Sequence, residues 1–315
     1  MNKVKFIAEL AQGYEGKVLQ AFELIKGAKL ALANFAKIQI VYADELATKD
    51  YKDYKIFKSL ELNKNEWLKI YNFAKKNKIE LITEIFGKKS LETAKFIGAK
   101  LIKIHPTDIN NIELLSEIKK INPEKIFVGI GGANEDEIRL CLKLLDNCKI
   151  VLLHGHQTLP TPNSDLNISR IKKIISRFKN KENNFSVGIA DHVIPNDKDQ
   201  IPIISMAIAS GAEYIEKHLT TNRIFKLEDY FSALNPDEFK KLVKDTKEII
   251  KILGAENFDL SKSEKIYRKA IRRVPIAKKN IKKNRLLNYS NIIFKRSSYM
   301  TNIKNINSII GNKSK

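Results

Sequence analysis

Two histidines, His192 and His218, each close a short apolar run in the second half of the chain, Phe185-Ser-Val-Gly-Ile-Ala-Asp191-His192 and Ala212-Glu-Tyr-Ile-Glu-Lys-His218. Runs of this kind read as strands, and neighbouring strands lie about 4.8 Å apart. Two imidazoles at the carboxyl ends of such neighbours can reach one divalent metal ion between them, so the pair is read as a metal site. Two lysines are placed in a similar way, Lys37 behind Phe35-Ala36 and Lys103 behind Leu101-Ile102. An ammonium group facing a barrel interior is costly unless it meets an anion. Two carboxylates complete the set: Glu9 ends the first apolar run and Asp229 follows the last, within Lys226-Leu-Glu-Asp-Tyr-Phe.

These residues need a frame that brings strand ends together, and the chain supplies one by alternating apolar runs with helix-period segments. Strands are expected over 4–10, 35–41, 80–83, 101–104, 126–130, 150–154, 186–189 and 214–216. Helices are expected over 17–32, 65–76, 90–97, 110–121, 134–145, 168–178, 201–210 and 236–253. Such alternation implies parallel strands with helical crossovers. Eight βα units in about 250 residues is the size of a closed (β/α)8 TIM barrel, whose chemistry sits at the carboxyl ends of the strands. The polar stretch from Tyr42 to Asn63 reads as a long βα loop at that face, a candidate lid. After Gly254 the character changes. The barrel is assigned to residues 1–258, a polar and basic linker to 259–272, and a small β-rich appendage to 273–315.

A chain of 315 residues with 43% hydrophobic content supports a full-sized core. It holds no apolar stretch of the roughly 18 residues that a membrane span needs, and Met1-Asn-Lys-Val-Lys runs straight into a strand pattern. No membrane partner is expected. The two cysteines, Cys141 and Cys148, have no CxxC spacing, which suits a reducing, cytoplasmic compartment. The net charge of +21 arises from lysines spread through every helix pattern rather than gathered on one stripe. No nucleic-acid partner is inferred from it; a basic field also draws in small anionic substrates.

The order of motifs along this frame resembles the sialic acid synthase family. The matching stretches are Ile7-Ala-Glu9-Leu10, Ala36-Lys37-Ile-Gln39, Ile102-Lys103-Ile104, Pro160-Thr-Pro162 followed by Asn167, Gly188-Ile-Ala-Asp191-His192, Gly211-Ala-Glu-Tyr-Ile-Glu-Lys217-His218, and Asn235-Pro-Asp-Glu-Phe239. Arg272-Arg273 through Ala277-Lys-Lys-Asn-Ile281 looks like the start of an antifreeze-like (SAF) domain, shortened here. The resemblance implies condensation of phosphoenolpyruvate with an N-acyl amino sugar to a nine-carbon 2-keto sugar acid. His192 and His218 would be ligands of manganese, or of magnesium or cobalt in its place, and Lys37 and Lys103 would hold the phosphate. Glu9 would be a proton donor or hydrogen-bond partner at the reacting carbons, and Asp229 would hold sugar hydroxyls or metal-bound water. Environments that push two carboxylate pKa values apart can split acid and base roles in this way. Gln39, Asn167 and Asp191 would contact substrate. Arg296 would reach the sugar across a homodimer.

The chain also departs from the family pattern. Thr83-Glu84-Ile-Phe86 stands where a Ser-Thr-Pro-Phe stretch is usual, Pro106 follows His105 where a serine is usual, and Gly129-Ile-Gly131-Gly132 replaces a Ser-Thr-Gly stretch. Thr107 is the candidate replacement hydroxyl for the phosphate, and the amides of Gly131 and Gly132 can cradle an anion. Glu84 in the same pocket repels phosphate unless it pairs with Lys37 or Lys103. The competing function is therefore a sugar-binding homologue, non-catalytic or altered in substrate, that has lost phosphoenolpyruvate handling.

Overall fold

The computed structural model describes residues 4–146, 148–156, 158, 160–180, 184–196, 198–297 and 306–315. The chain divides into two compact units, Met1–Gly254 and Ala255–Lys315.

In the first unit eight strands form a closed barrel: β1 (Lys5–Ala11), β2 (Phe35–Gln39), β3 (Glu80–Ile85), β4 (Leu101–Ile104), β5 (Lys125–Gly129), β6 (Ile150–His154), β7 (Ser186–Asp191) and β8 (Tyr214–His218). Every neighbouring pair is parallel, and β8 returns to β1 with His218 beside Glu9. The expected (β/α)8 barrel is the fold. Local chemistry sets the helix starts. Asn63 with Glu66, Asn134 with Glu137, and Asn235 with Glu238 each make a reciprocal capping box, which satisfies donors that the first helical turn leaves free.

Alternate residues of each strand point to opposite faces of the sheet. One set, including Ile38, Ile102, Val128, Leu152 and Ile189, packs outward under the helices. The other set, Ile7, Phe35, Ile82, Leu101, Phe127, Val151, Leu153, Ala190 and Tyr214, fills the barrel interior. Its rings meet edge to face, Phe127 and Tyr214 at 5.6 Å and 82° and Phe35 and Phe127 at 6.0 Å and 66°. This apolar plug is the floor on which the polar mouth stands.

The stretch expected as a loop between Tyr42 and Asn63 carries two short helices, Ala43–Leu46 and Tyr54–Ser59. It is pinned to its neighbour. Glu45 accepts hydrogen bonds from the backbone amides of Lys89 and Ser90, so it serves as the acidic cap of helix Lys88–Phe96, whose own N-cap is Gly87 and has no side chain to offer.

In the second unit, helix Lys262–Ile271 occupies most of the expected linker, started by a capping box between Ser261 and Glu264. An antiparallel pair follows, β9 (Val274–Ala277) and β10 (Ile292–Lys295), with Val274 opposite Lys295. Among the described residues these two strands are the only sheet in the unit. Also among the described residues, no helix is long and apolar enough to cross a membrane.

The fullness of the interior explains one residue choice. A Cβ at Gly188 on β7 would lie 2.5 Å from the Tyr214 carbonyl oxygen and 2.7 Å from Leu153 Cδ2. Gly188→Ala is therefore expected to destabilise the barrel by about 2 kcal/mol, the range of overpacked cores, as measured by urea unfolding. An unchanged midpoint would contradict this packing.

Candidate active site

Two residues beyond the apolar plug, on the same inward face, the strands present Glu9 (β1), Lys37 (β2), Glu84 (β3), Lys103 (β4) and Glu216 (β8), all buried. Above them stand Gln39, His192 and His218. The expected pair of histidines does converge: the two rings lie 5.2 Å apart between centroids, inclined at 54°. Their backbones are pinned from outside the ring of strands. The His192 carbonyl accepts from Thr161 N at 3.0 Å and Ser232 Oγ at 2.6 Å, and the His218 carbonyl accepts from Leu234 N at 2.9 Å.

Burial holds both imidazoles neutral. It pushes His192 down to about 4, against the opposing pull of Glu216, and takes His218 well below its ordinary value, with His192 and Lys37 adding to the effect. A neutral imidazole keeps the lone pair that a metal needs. The buried Nδ1 of His192 has no hydrogen-bond partner among the described residues. Asp229 stands 3.8 Å from His218 Nδ1, its carboxyl raised by burial to about 6. No group of three or more His, Cys, Asp or Glu side chains suited to a metal occurs among the described residues. The donor set thus fits an ion bound by two nitrogens and finished by oxygen from water or substrate. It does not fit a closed structural cage.

The lysines meet carboxylates. Lys37 Nζ lies 2.6 Å from Glu84 Oε2 and 3.8 Å from Glu216 Oε1, and it also pairs with Glu9. Lys103 Nζ lies 2.6 Å from Glu216 Oε1 and 3.7 Å from Glu84 Oε1. Burial draws Lys37 down to about 8, although Glu216 and Glu84 oppose it. For Lys103, Glu216 and Glu84 outweigh burial and hold the ammonium above its usual range. The same pairing overcomes burial at Glu84 and Glu216 and lowers both. Gln39 bridges inward, its Nε2 donating to Glu84 Oε2 at 3.0 Å while its Oε1 accepts from Gln12 Nε2 at 2.9 Å. Glu9 Oε1 accepts from the amide of Ala11 at 2.6 Å. Ala11 sits at a bulge with a φ of 45°, so the Glu9 carboxylate holds a strained strand end in place.

Glu216 escaped the sequence reading as a site residue, yet its signal was present: it lies two positions before His218 and so shares its face. Asp191 requires a correction. β7 runs on to Asp191, and its alternation turns that side chain outward, opposite to His192 and Ala190. There Asp191 Oδ1 accepts from Val193 N at 2.9 Å and Oδ2 lies 3.0 Å from Lys217 Nζ. Lys217, itself buried, donates to the Val193 carbonyl at 2.6 Å. The pair fixes the segments that carry both histidines and is not placed to touch substrate.

The remaining expected residues are spread around the rim. Thr107 is exposed after β4, and its Oγ1 lies 2.7 Å from His105 Nδ1. Asn167 is exposed on the loop after β6 with a left-handed backbone, and its amide donates to the Asp165 carbonyl at 3.0 Å, a turn duty. Arg296 stands in the second unit, exposed just past β10. Pro106 and Gly129 prove to be a matched pair, because a Cβ at position 129 would fall 2.5 Å from Cγ and Cδ of the proline ring. The two missing serines are thus replaced jointly.

The buried pair behind the histidines yields a prediction. Lys217→Met leaves the Asp191 carboxylate buried without its cation and is expected to cost about 3 kcal/mol. Adding Asp191→Asn to that variant should restore most of the loss, as read from a double-mutant cycle of thermal unfolding. A double variant as unstable as the single one would deny the coupling.

Comparison with known proteins agrees with this geometry. The NeuB family model matches residues 24–258. The chain is 30% identical over 317 residues to the N,N'-diacetyllegionaminic acid synthase of Campylobacter jejuni, covering 94% of this chain and 91% of that protein. It is 31% identical over 312 residues to an uncharacterized protein of Methanocaldococcus jannaschii, covering 98% and 89%. The crystal structure of the N-acetylneuraminic acid (sialic acid) synthetase of Leptospira borgpetersenii serovar Hardjo-bovis, in complex with citrate, superposes with a TM-score of 0.78 at 30% identity, covering 85% of this chain and 92% of that one. The chain belongs to the NeuB family of sialic acid synthase-like proteins.

Proposed function

We propose that the protein is a sugar acid synthase that condenses phosphoenolpyruvate with an N-acyl amino sugar, giving a nine-carbon 2-keto sugar acid of the sialic, legionaminic or pseudaminic type and inorganic phosphate. The observation that carries the reading is the convergence of two neutral, buried imidazoles directly above a pair of buried ammonium groups. Relatives named as legionaminic and pseudaminic acid synthases support it.

A divalent ion, manganese first and magnesium or cobalt as substitutes, would be held by His192 and His218, and when bound it supplies Lewis acidity toward the sugar aldehyde. Lys37 and Lys103 bind the phosphate end of phosphoenolpyruvate and stabilise its departure. Carbon 3 of the enol bonds to the aldehyde carbon, water adds at carbon 2, and the carbon–oxygen bond to phosphate then breaks. Glu9, a carboxylate paired with Lys37 and anchored by the Ala11 amide, takes the proton given up by the water that adds at carbon 2 and passes it to the oxygen of the new hydroxyl. Asp229, with its carboxyl raised toward neutrality, orients sugar hydroxyls or water beside His218. In this proposal the protein works in the cytoplasm as a homodimer. Its barrel covers residues 1–258 and a linker 259–272. Residues 273–315 are assigned to a short antifreeze-like module whose Arg296 reaches the sugar at the neighbouring subunit's barrel across the dimer.

The second reading, a sugar-binding homologue without phosphoenolpyruvate chemistry, draws on the carboxylates that already pair both lysines. Turnover separates the two. Phosphate release from phosphoenolpyruvate should require both a divalent metal and one member of a panel of N-acyl hexosamines, and His218→Ala should abolish it while leaving the unfolding midpoint within a few degrees. Absence of release across the panel would reject the synthase and favour the binding protein.

A further inference from the structure

The inward positions of the barrel mouth follow strand order, and that order assigns Glu84 a place of its own. β3 lies between β2, which carries Lys37, and β4, which carries Lys103. In register, Glu84 is the partner of both Gln39 and Lys103. An anion that bridges the two lysines must stand in front of β3, where the Glu84 carboxylate now lies with Oε2 2.6 Å from Lys37 Nζ and Oε1 3.7 Å from Lys103 Nζ.

The other two carboxylates are placed differently. Glu9 is tied to the Ala11 amide, and Glu216 approaches from β8, across the barrel from β4. Glu84 makes hydrogen bonds only through Oε2, from Lys37 and Gln39; its buried Oε1 has no hydrogen-bond partner among the described residues. Two ammonium groups face three carboxylates, so the cluster carries a formal charge of −1 before any substrate enters. A phosphate brought into that ground meets like charge and an occupied seat.

We propose that Glu84 is a tethered counter-anion: its carboxylate fills the anion seat between Lys37 and Lys103 in the free protein and must swing aside when the phosphate of phosphoenolpyruvate binds. This rests on the proposed function. It adds that residue 84 sets the affinity and selectivity of the anion seat. A singly charged acid that engages one lysine gains too little to displace Glu84, whereas a phosphate that engages both can do so. Removing the tethered charge relaxes that discrimination. With Glu84 gone, Lys37 keeps Glu9 and Lys103 keeps Glu216 as partners, so neither ammonium is stranded.

The test is calorimetric titration of phosphoenolpyruvate into the full chain with manganese present, for the unaltered protein, Glu84→Gln, Glu84→Thr, and the exposed Glu228→Gln as a control for simple charge removal. Thermal unfolding confirms that each is folded. Glu84→Gln and Glu84→Thr are expected to bind about tenfold tighter or more, the effect of lifting a like-charge juxtaposition. Inorganic phosphate should compete with phosphoenolpyruvate better in these variants than in the unaltered protein. Lys37→Met in the Glu84→Gln background should remove the gain. Binding that depends on Lys37 but is unchanged in both Glu84 variants, or is tightened equally by Glu228→Gln, overturns the inference and leaves the synthase reading intact. No binding to any of the chains overturns both.

Discussion

The structure depends on one constraint, that charges removed from water must neutralise one another. Each buried ion costs several kcal/mol in real proteins unless a partner and further hydrogen bonds repay it, and the barrel mouth buries five on one inward face: Glu9, Lys37, Glu84, Lys103 and Glu216. The parallel register solves this problem by geometry. Strands β1, β2, β3 and β4 deliver acid, base, acid and base in turn, and β8 returns a further acid next to β1. No loop has to find a partner for any of them. The aromatic plug below, built from Phe35, Phe127 and Tyr214, closes the lower side of the cluster to water, so the pairing sets the electrostatics of everything above it.

The histidines are the upper neighbours of that cluster and take their character from it. Their neutrality comes first from burial. Lys37 and Lys103 add repulsion to a proton, while Glu216 pulls the other way at His192. Rigid seating comes from the reverse side of the same strands. Asp191 and Lys217 point away from the mouth, yet they join the β7 and β8 ends through the backbone of Val193. One ion pair thus works from behind on the two residues whose approach matters in front. Alternation along a strand makes this division of labour natural, because each inward ligand has an outward neighbour available to hold it.

Much of this was legible in the chain. Eight apolar runs at regular spacing, each followed by a helical pattern, leave few topologies other than a parallel barrel; His192 and His218 stand out as the residues that close their runs, and Lys37 and Lys103 as charges set within theirs. The misplacements have physical causes. Asp191 is a substrate contact only by the resemblance; the strand runs on to Asp191, and its alternation puts that side chain on the helix side. Glu216 was passed over because a charged residue inside an apolar run draws less notice than the histidine that ends it. Asn167 and Thr107 sit on loops, where no periodicity tells a side chain that faces a substrate from one that completes a turn. The 42–63 stretch reads as a loop because its anchor, Glu45 on the amides of Lys89 and Ser90, is a contact between residues far apart in the chain.

The departures from the family pattern are best understood together. Pro106, in the turn after β4, packs against Gly129 at the end of β5: the proline ring takes the volume that a side chain at 129 would need. Two hydroxyls are lost in that exchange, and hydroxyls bind an anion without charge of their own, so they neither attract nor repel it over distance. Glu84 changes the balance in the opposite sense, since a carboxylate bonded to Lys37 and 3.7 Å from Lys103 competes with any anion that enters. A mouth built this way keeps its ammonium groups from binding the many small anions that a chain of net charge +21 attracts. The basic surface concentrates anions, and the tethered carboxylate filters them at the point of entry.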